Sequence, residues 1–243
     1  PALVYVCRPN NPTGQQAPRE WVETLLGAIS GDGPVVLLDE AYADFAGETL
    51  IQRVLSHPRA LVARTLSKAF GLAGMRVGLA FGNADLIREV EKSRGPYKVN
   101  RLAEAAAVAA LRDEAGWIDT TVAEAIENRE RLRNALSQRG LAPLPSRTNF
   151  VLFPVPGGRA RELSNALREH EVAVRPFPDC PDVGDALRVT VGPWPLMERF
   201  LAALDSVGIG NGDAHAGGEG KVGHHSPGSA ASDPRETPKE TGP

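Results

Sequence analysis

The sequence predicts an α/β protein in which a mixed, mostly parallel sheet flanked by helices is followed by a small α+β domain. Three observations carry that reading. Short continuous apolar runs at residues 3–7, 35–39, 61–65 and 77–81 alternate with helical or loop segments, the pattern of strands buried in a sheet covered on both faces. Residues 101–138, rich in Ala, Leu, Glu and Arg and free of proline, read as long helix broken near Gly116. Beyond Pro143 shorter elements alternate: strands at 149–153, 172–175 and 187–191, helices at 159–170 and 195–207, with a Pro- and Gly-rich loop over 176–186. The boundaries that follow are 1–100 for part of a large ligand-binding domain, 101–140 for a connecting helix, 141–207 for the small domain and 208–243 for a tail.

The composition fits a chain that buries a sizeable core. Of 243 residues 42% are hydrophobic and 23% charged, and the net charge of −3 gives no sign of a nucleic-acid partner. No apolar run approaches the roughly 20 residues that cross a bilayer, so no membrane partner is expected. Two cysteines, Cys7 on a core strand and Cys180 in a loop, make no disulfide framework, and the default location is cytoplasmic. The tail is Gly, Ser, Pro and charge, with five acids against three bases and too few large apolar side chains to fold. His215, His224 and His225 lie in it, and no metal site is expected there.

Three motifs in fixed order carry the chemistry: Asn11-Pro12-Thr13-Gly14, Asp39-Glu40-Ala41-Tyr42, and residues 64–78 from Arg64 through Ser67 and Lys68 to Arg76. Alone, the first is a good turn and the second passes for the end of a strand. In series they supply what pyridoxal phosphate (PLP) requires. Lys68 is the amine for the cofactor aldehyde. Asp39, at the carboxyl end of an apolar strand and so in the crevice where open α/β sheets bind ligands, is the carboxylate that keeps the ring nitrogen protonated. Tyr42 and Asn11 can donate to the phenolic oxygen, and Thr65, Ser67 and Arg76 to the phosphate. The glycines at 71, 74 and 78 have the wrong spacing for a dinucleotide fingerprint, and no acidic ribose partner follows. Arg188, in an alternating strand, can clamp a carboxylate, and Arg175 is a second cation nearby.

These motifs, with Pro96-Tyr97-Lys98-Val99-Asn100, Thr148-Asn149-Phe150 and Leu187-Arg188-Val189-Thr190-Val191-Gly192, resemble the fold-type I PLP enzymes, and within them the histidinol-phosphate aminotransferases. The likeness covers roughly residues 1–207. It implies the PLP-dependent transferase fold of type I, Lys68 as the residue bonded to the cofactor, Asp39 at the pyridine nitrogen, Asn11 and Tyr42 at the phenolic oxygen, and Thr65, Ser67 and Arg76 at the phosphate. It further implies Arg188 on the α-substituent side of the substrate or of 2-oxoglutarate/glutamate, Arg175 at the substrate phosphate, Tyr97 and Asn100 lining that pocket, and a homodimer. Lys98 departs from the commoner small or amide residue of the family.

The expected activity is transamination of histidinol phosphate with 2-oxoglutarate in histidine biosynthesis. Two alternatives keep the fold: decarboxylation of a phosphorylated amino acid of the threonine-phosphate type, for which the family likeness would set Thr at Ser67 and Trp at Tyr97, and a broad aromatic aminotransferase. A third is a truncated, non-catalytic module. The chain starts on a strand at Pro1 without an initiator methionine, and against the family it lacks the arm, the Gly-rich turn and the ring-stacking aromatic that precede this point.

Overall fold

The computed structural model describes residues 2–96 and 98–209. Strands β1 (Leu3–Cys7), β2 (Val35–Asp39) and β3 (Ala60–Thr65) pair in parallel in that order, and β4 (Gly78–Gly82) closes the sheet antiparallel to β3. The parallel steps need crossovers. Helix α1 (Arg19–Gly27) makes the first, and the short helices α2 (Ala43–Ala46) and α3 (Ile51–Leu55) make the second. Val22 and Leu26 of α1 and Val54 of α3 pack on Val36, Leu38, Ala60 and Val62, one face of the sheet. A large apolar side chain buried there stabilises by roughly 1.5–3 kcal/mol.

The expectation of cover on both faces fails over β1. Leu3 and Tyr5 point to the side away from α1 and remain 62% and 55% exposed, because no helix among the described residues packs there. After β4 and α4 (Ala84–Lys92), α5 (Arg101–Arg112) lays Ala103 and Ala107 against Leu66 and Val77. The long helical stretch divides at 113–116. Asp113 accepts from the Trp117 and Ile118 amides at 2.9 and 2.8 Å, capping α6 (Trp117–Ser137), whose preceding Gly116 has φ 63°.

The small domain is an antiparallel sheet in the order β5 (Phe150–Pro154), β7 (Gly184–Thr190), β6 (Arg175–Cys180), backed by α7 (Ala160–Glu169) and α8 (Trp194–Ser206). Val151, Phe153, Leu187 and Val189 meet Leu163, Leu167, Phe200 and Leu204, and Leu132 and Leu136 of α6 join the same core. Ile209 is buried in it as well; the rest of the expected tail, from residue 210, lies outside the described residues. The loop expected at 176–186 is instead mostly strand. Pro176 and Pro178 misled the reading: β6 is an edge strand, where a missing N–H breaks no ladder, and its register is irregular between Phe177 and Cys180. The strand expected at 172–175 therefore begins only at Arg175.

Arg129 and Gly14 make two of the contacts that join the bodies built on the two sheets. Arg129 of α6 is buried and donates through Nη1 to the carbonyls of Phe45 (3.4 Å) and Thr148 (3.0 Å). Gly14, at φ +78°, lies under Ser146, and its carbonyl accepts from the Arg147 amide at 2.8 Å. A Cβ on Gly14 would come within 2.5 Å of Ser146 Oγ. Gly14→Ala should accordingly cost about 2 kcal/mol in urea unfolding, from the strained φ and the clash together.

Asp185 fixes the turn of the small sheet. Its carboxylate accepts from the Ala160 amide at 2.9 Å and the Asp179 amide at 3.1 Å, and these donors hold its pKa below the usual carboxylate value. A depressed pKa contributes stability that is present above the unfolded value of about 3.9 and is lost as pH falls through the folded one. The urea midpoint should fall less steeply with acid in Asp185→Asn than in the wild type below about pH 4.

Candidate active site

The three parallel strands end side by side, with Cys7 opposite Asp39 and Asp39 opposite Ala63. The ladder continues one step further, as Arg8 N–H reaches the Asp39 carbonyl at 2.8 Å and Glu40 N–H the Ala63 carbonyl at 2.9 Å. All three motif loops therefore leave the sheet at one edge, the crevice where open α/β sheets place ligands.

Asp39 is half-buried. Its Oδ1 accepts from the Ala41 amide at 3.0 Å and its Oδ2 from the Tyr5 hydroxyl at 2.6 Å. Tyr42, just before α2, is buried with its ring edge-on to Phe150 at 5.2 Å. Lys68 Nζ lies 5.3 Å from the centre of the Tyr42 ring, and the residue is exposed. The loop holding Lys68 is closed by Leu66 N–H to the Val77 carbonyl (3.1 Å) and Leu72 N–H to the Leu66 carbonyl (2.9 Å). Ser67 N–H donates to Thr65 Oγ1 at 3.1 Å, and Arg76, in the left-handed conformation at φ 59°, donates to the Ala73 carbonyl at 3.0 Å.

Arg188 reaches this group from the small domain. Its Nη1 donates to Asn11 Oδ1, and its guanidinium carbon stands 4.7 Å from the Phe150 ring centre and 5.4 Å from that of Phe177. Burial pushes its pKa below the ordinary guanidinium value, Tyr42 pushes it up and the Arg175 charge pushes it down again. Its Nε is buried without a hydrogen-bond partner.

The expected substrate residues fare differently. Arg175 pairs with Arg188 across β6 and β7 and is exposed. Asn100 uses its Oδ1 to cap α5, accepting from the Ala103 amide at 2.9 Å. Tyr97 lies outside the described residues. A cavity of about 940 Å³ between the domains, bordered by Thr13, Arg133, Arg147 and Cys180, is lined by none of the expected cofactor residues.

Several contributors escaped the sequence reading. Phe150 and Phe177 are the aromatic faces for Arg188; the first was visible only as part of Thr148-Asn149-Phe150. Glu40, the second residue of its motif, is fully buried, accepting from Thr49 Oγ1 (2.5 Å) and the Leu50 amide (2.7 Å), with Arg64 Nη1 at 3.7 Å. Arg64 also pairs with Asp44 of α2. One guanidinium thus ties the loop of Tyr42 to the strand that leads to Lys68.

The donor set suits the expected cofactor. An amine, a carboxylate with both oxygens already oriented, a phenol, and hydroxyls with an arginine on one closed loop stand around a single edge. Asn11 has its Oδ1 engaged by Arg188, which leaves its Nδ2 as the group to donate.

Such an edge, with a lysine loop facing a carboxylate strand end and a small domain supplying an arginine, defines a class. The family model for aminotransferases of class I and II matches residues 1–204, and the chain belongs to that family. Among its relatives, histidinol-phosphate aminotransferase 2 of Rhizobium meliloti is 41% identical over 207 residues, 84% of this chain and 58% of the relative. The Nitrosococcus oceani protein of the same description is 39% identical over 84% of this chain and 56% of its own length. The crystal structure of histidinol-phosphate aminotransferase from Sinorhizobium meliloti, in complex with pyridoxal-5'-phosphate, superposes with TM-score 0.75 at 31% identity, covering 84% of this chain and 56% of that one. L-threonine-O-3-phosphate decarboxylase from Porphyromonas gingivalis shares the fold (TM-score 0.73, 24% identity, 85% of this chain and 64% of that one). The chain thus spans under three fifths of the length of these curated relatives.

Removing Arg64 leaves Glu40 and Asp44 without their cation, so Arg64→Met should destabilise the large domain by about 2 kcal/mol in denaturant titration, less than the roughly 3–5 kcal/mol of a broken buried pair because Glu40 keeps two other donors.

Proposed function

We propose that this chain carries the cofactor and substrate groups of a PLP-dependent aminotransferase that converts histidinol phosphate with 2-oxoglutarate as amino acceptor, in histidine biosynthesis. The observation that supports it most is the convergence of Asn11, Asp39, Tyr42, Lys68 and Arg188 at one strand edge. When bound, the cofactor supplies an electron sink for charge developing at the substrate Cα. Asp39 holds the ring N–H, Tyr42 Oη and Asn11 Nδ2 donate to the phenolic oxygen, and Thr65, Ser67 and Arg76 hold the phosphate. Lys68 Nζ would be the amine that holds the cofactor aldehyde, and the same nitrogen would serve as the base for the proton at the substrate Cα. Arg188 binds the carboxylate of 2-oxoglutarate or glutamate or the α-substituent of histidinol phosphate, with Arg175, Tyr97 and Asn100 at the substrate phosphate. Ser67 favours transamination over the decarboxylase alternative.

The working unit in this reading is a homodimer. The open apolar side chains of α5, Leu102, Val108 and Leu111, suit burial against further protein. A cytoplasmic location fits the two free thiols, Cys7 and Cys180.

With PLP added, the chain should gain a visible absorbance band that Lys68→Ala lacks, and histidinol phosphate should bleach it as the amine form accumulates. Lys68→Ala should lower turnover by about 10²–10⁴-fold. Arg188→Gln should keep the band while raising the KM for 2-oxoglutarate about tenfold, the loss of one charged contact. Release of carbon dioxide from a phosphorylated amino acid, with no glutamate formed, would establish the decarboxylase instead.

A further inference from the structure

We propose that Tyr5 is a positioning residue for the cofactor ring: its hydroxyl, donated to Asp39 Oδ2 at 2.6 Å, aims that carboxylate and keeps the shared proton on the ring nitrogen. The inference rests on the reading above, in which Asp39 meets the ring nitrogen.

The geometry follows from strand register. Cys7 stands opposite Asp39 and Tyr5 opposite Leu37, and residues two apart on a strand share a face. Tyr5 and Asp39 therefore lie on the same face, and the long phenol spans the two-residue offset to reach the carboxylate. Cys7, the nearer neighbour, directs its thiol to the Pro9 carbonyl at 3.3 Å, which leaves the phenol as the side-chain donor to Asp39.

Packing does not explain Tyr5. The residue is 55% exposed on the uncovered face, as is Leu3 beside it, and its specific engagement is with Asp39. A phenol on a carboxylate at this distance is a charge-assisted bond, stronger than a neutral one. Burial and the bond to Asp39 both push the Tyr5 pKa well above that of an ordinary tyrosine, so the hydroxyl remains a donor throughout the neutral range. With the Ala41 amide on Oδ1 and Tyr5 on Oδ2, the carboxylate is fixed in rotation and its negative charge is stabilised. A carboxylate held in this way would keep one oxygen aimed at the ring N–H. Without the phenol it would be freer to turn away, which would weaken the electron sink.

The test is Tyr5→Phe in the PLP-loaded chain, with the ring nitrogen labelled with ¹⁵N. The variant should load cofactor through Lys68 and unfold at the wild-type midpoint, since a partly exposed hydroxyl contributes little to folding. Its ¹⁵N resonance should move towards the unprotonated position and kcat should fall about tenfold with KM nearly unchanged, the loss of one hydrogen bond to a charged group. A cofactor-free measurement reads the bond itself. Asp39→Asn should lower the pH of the Tyr5 absorbance titration by the share that the bond to Asp39 contributes, and an unmoved titration would overturn the proposal. An unshifted ¹⁵N resonance with wild-type kcat would overturn it too while leaving the function standing. Failure of the wild-type chain to take up cofactor through Lys68 would sink the function, and this inference with it.

Discussion

The site depends on the common ending of three parallel strands. Because β1, β2 and β3 run in register to Cys7, Asp39 and Ala63, the loops after them leave from one line of backbone. Residues 28 and 57 positions apart, such as Asn11, Asp39 and Lys68, are brought to one edge without any contact having to be designed for that purpose alone. The helices α1 and α3 make this possible by burying the other side of the strands, so the sheet is anchored by Val36, Leu38 and Val62 while its end stays open. On the proposed reading, side chains at the end of the sheet do chemistry; those in its middle hold it in place.

The second domain then completes the arrangement from outside. Arg129 reaches from α6 to carbonyls on both sides of the boundary, next to Phe45 in one domain and two residues before Phe150 in the other. Tyr42 and Phe150 meet edge to face across that same boundary, and Arg188 stacks on Phe150. A buried guanidinium bonded to two carbonyls is costly to misplace. The distance between the lysine loop and the arginine strand is in this way set partly by Arg129 and Phe150, which take no part in the proposed chemistry.

Much of this was legible in the sequence, for reasons that differ by element. The strands of the large domain were plain because parallel strands are continuous apolar runs, and their ends carried motifs with reactive residues. The split of the long helix was visible at Gly116, although the capping carboxylate of Asp113 was not. Residues 176–180 were read as loop because Pro176 and Pro178 argue against a central strand, and sequence alone does not say that a strand lies at an edge. Glu40, Arg64 and Asp44 went unremarked because their roles arise from pairing across the fold, which no local pattern encodes. Tyr5 was hidden for a similar reason: as one aromatic in an apolar run it looked like core, and only the register with β2 brings its hydroxyl to Asp39.

On the proposed reading, the surroundings of Arg188 suit an anion. Its guanidinium is half-buried between two aromatic rings, one nitrogen engaged by an uncharged amide oxygen and another buried with no partner. Aromatic faces offset part of the desolvation of a cation, but a neutral acceptor offsets less than a carboxylate does. The arrangement is therefore under-satisfied in a way that a carboxylate would relieve, with two oxygens matching the planar fork. The exposed Arg175 across the strand pair adds like charge that pushes in the same direction, since its repulsion of Arg188 falls once an anion lies between them. On the proposed reading, acceptor binding is favoured partly by strain already present in the free protein. On the same reading, the Asn11 side chain that accepts from Arg188 is also the group that would donate to the cofactor, so one hydrogen bond would orient both the cofactor loop and the anion clamp.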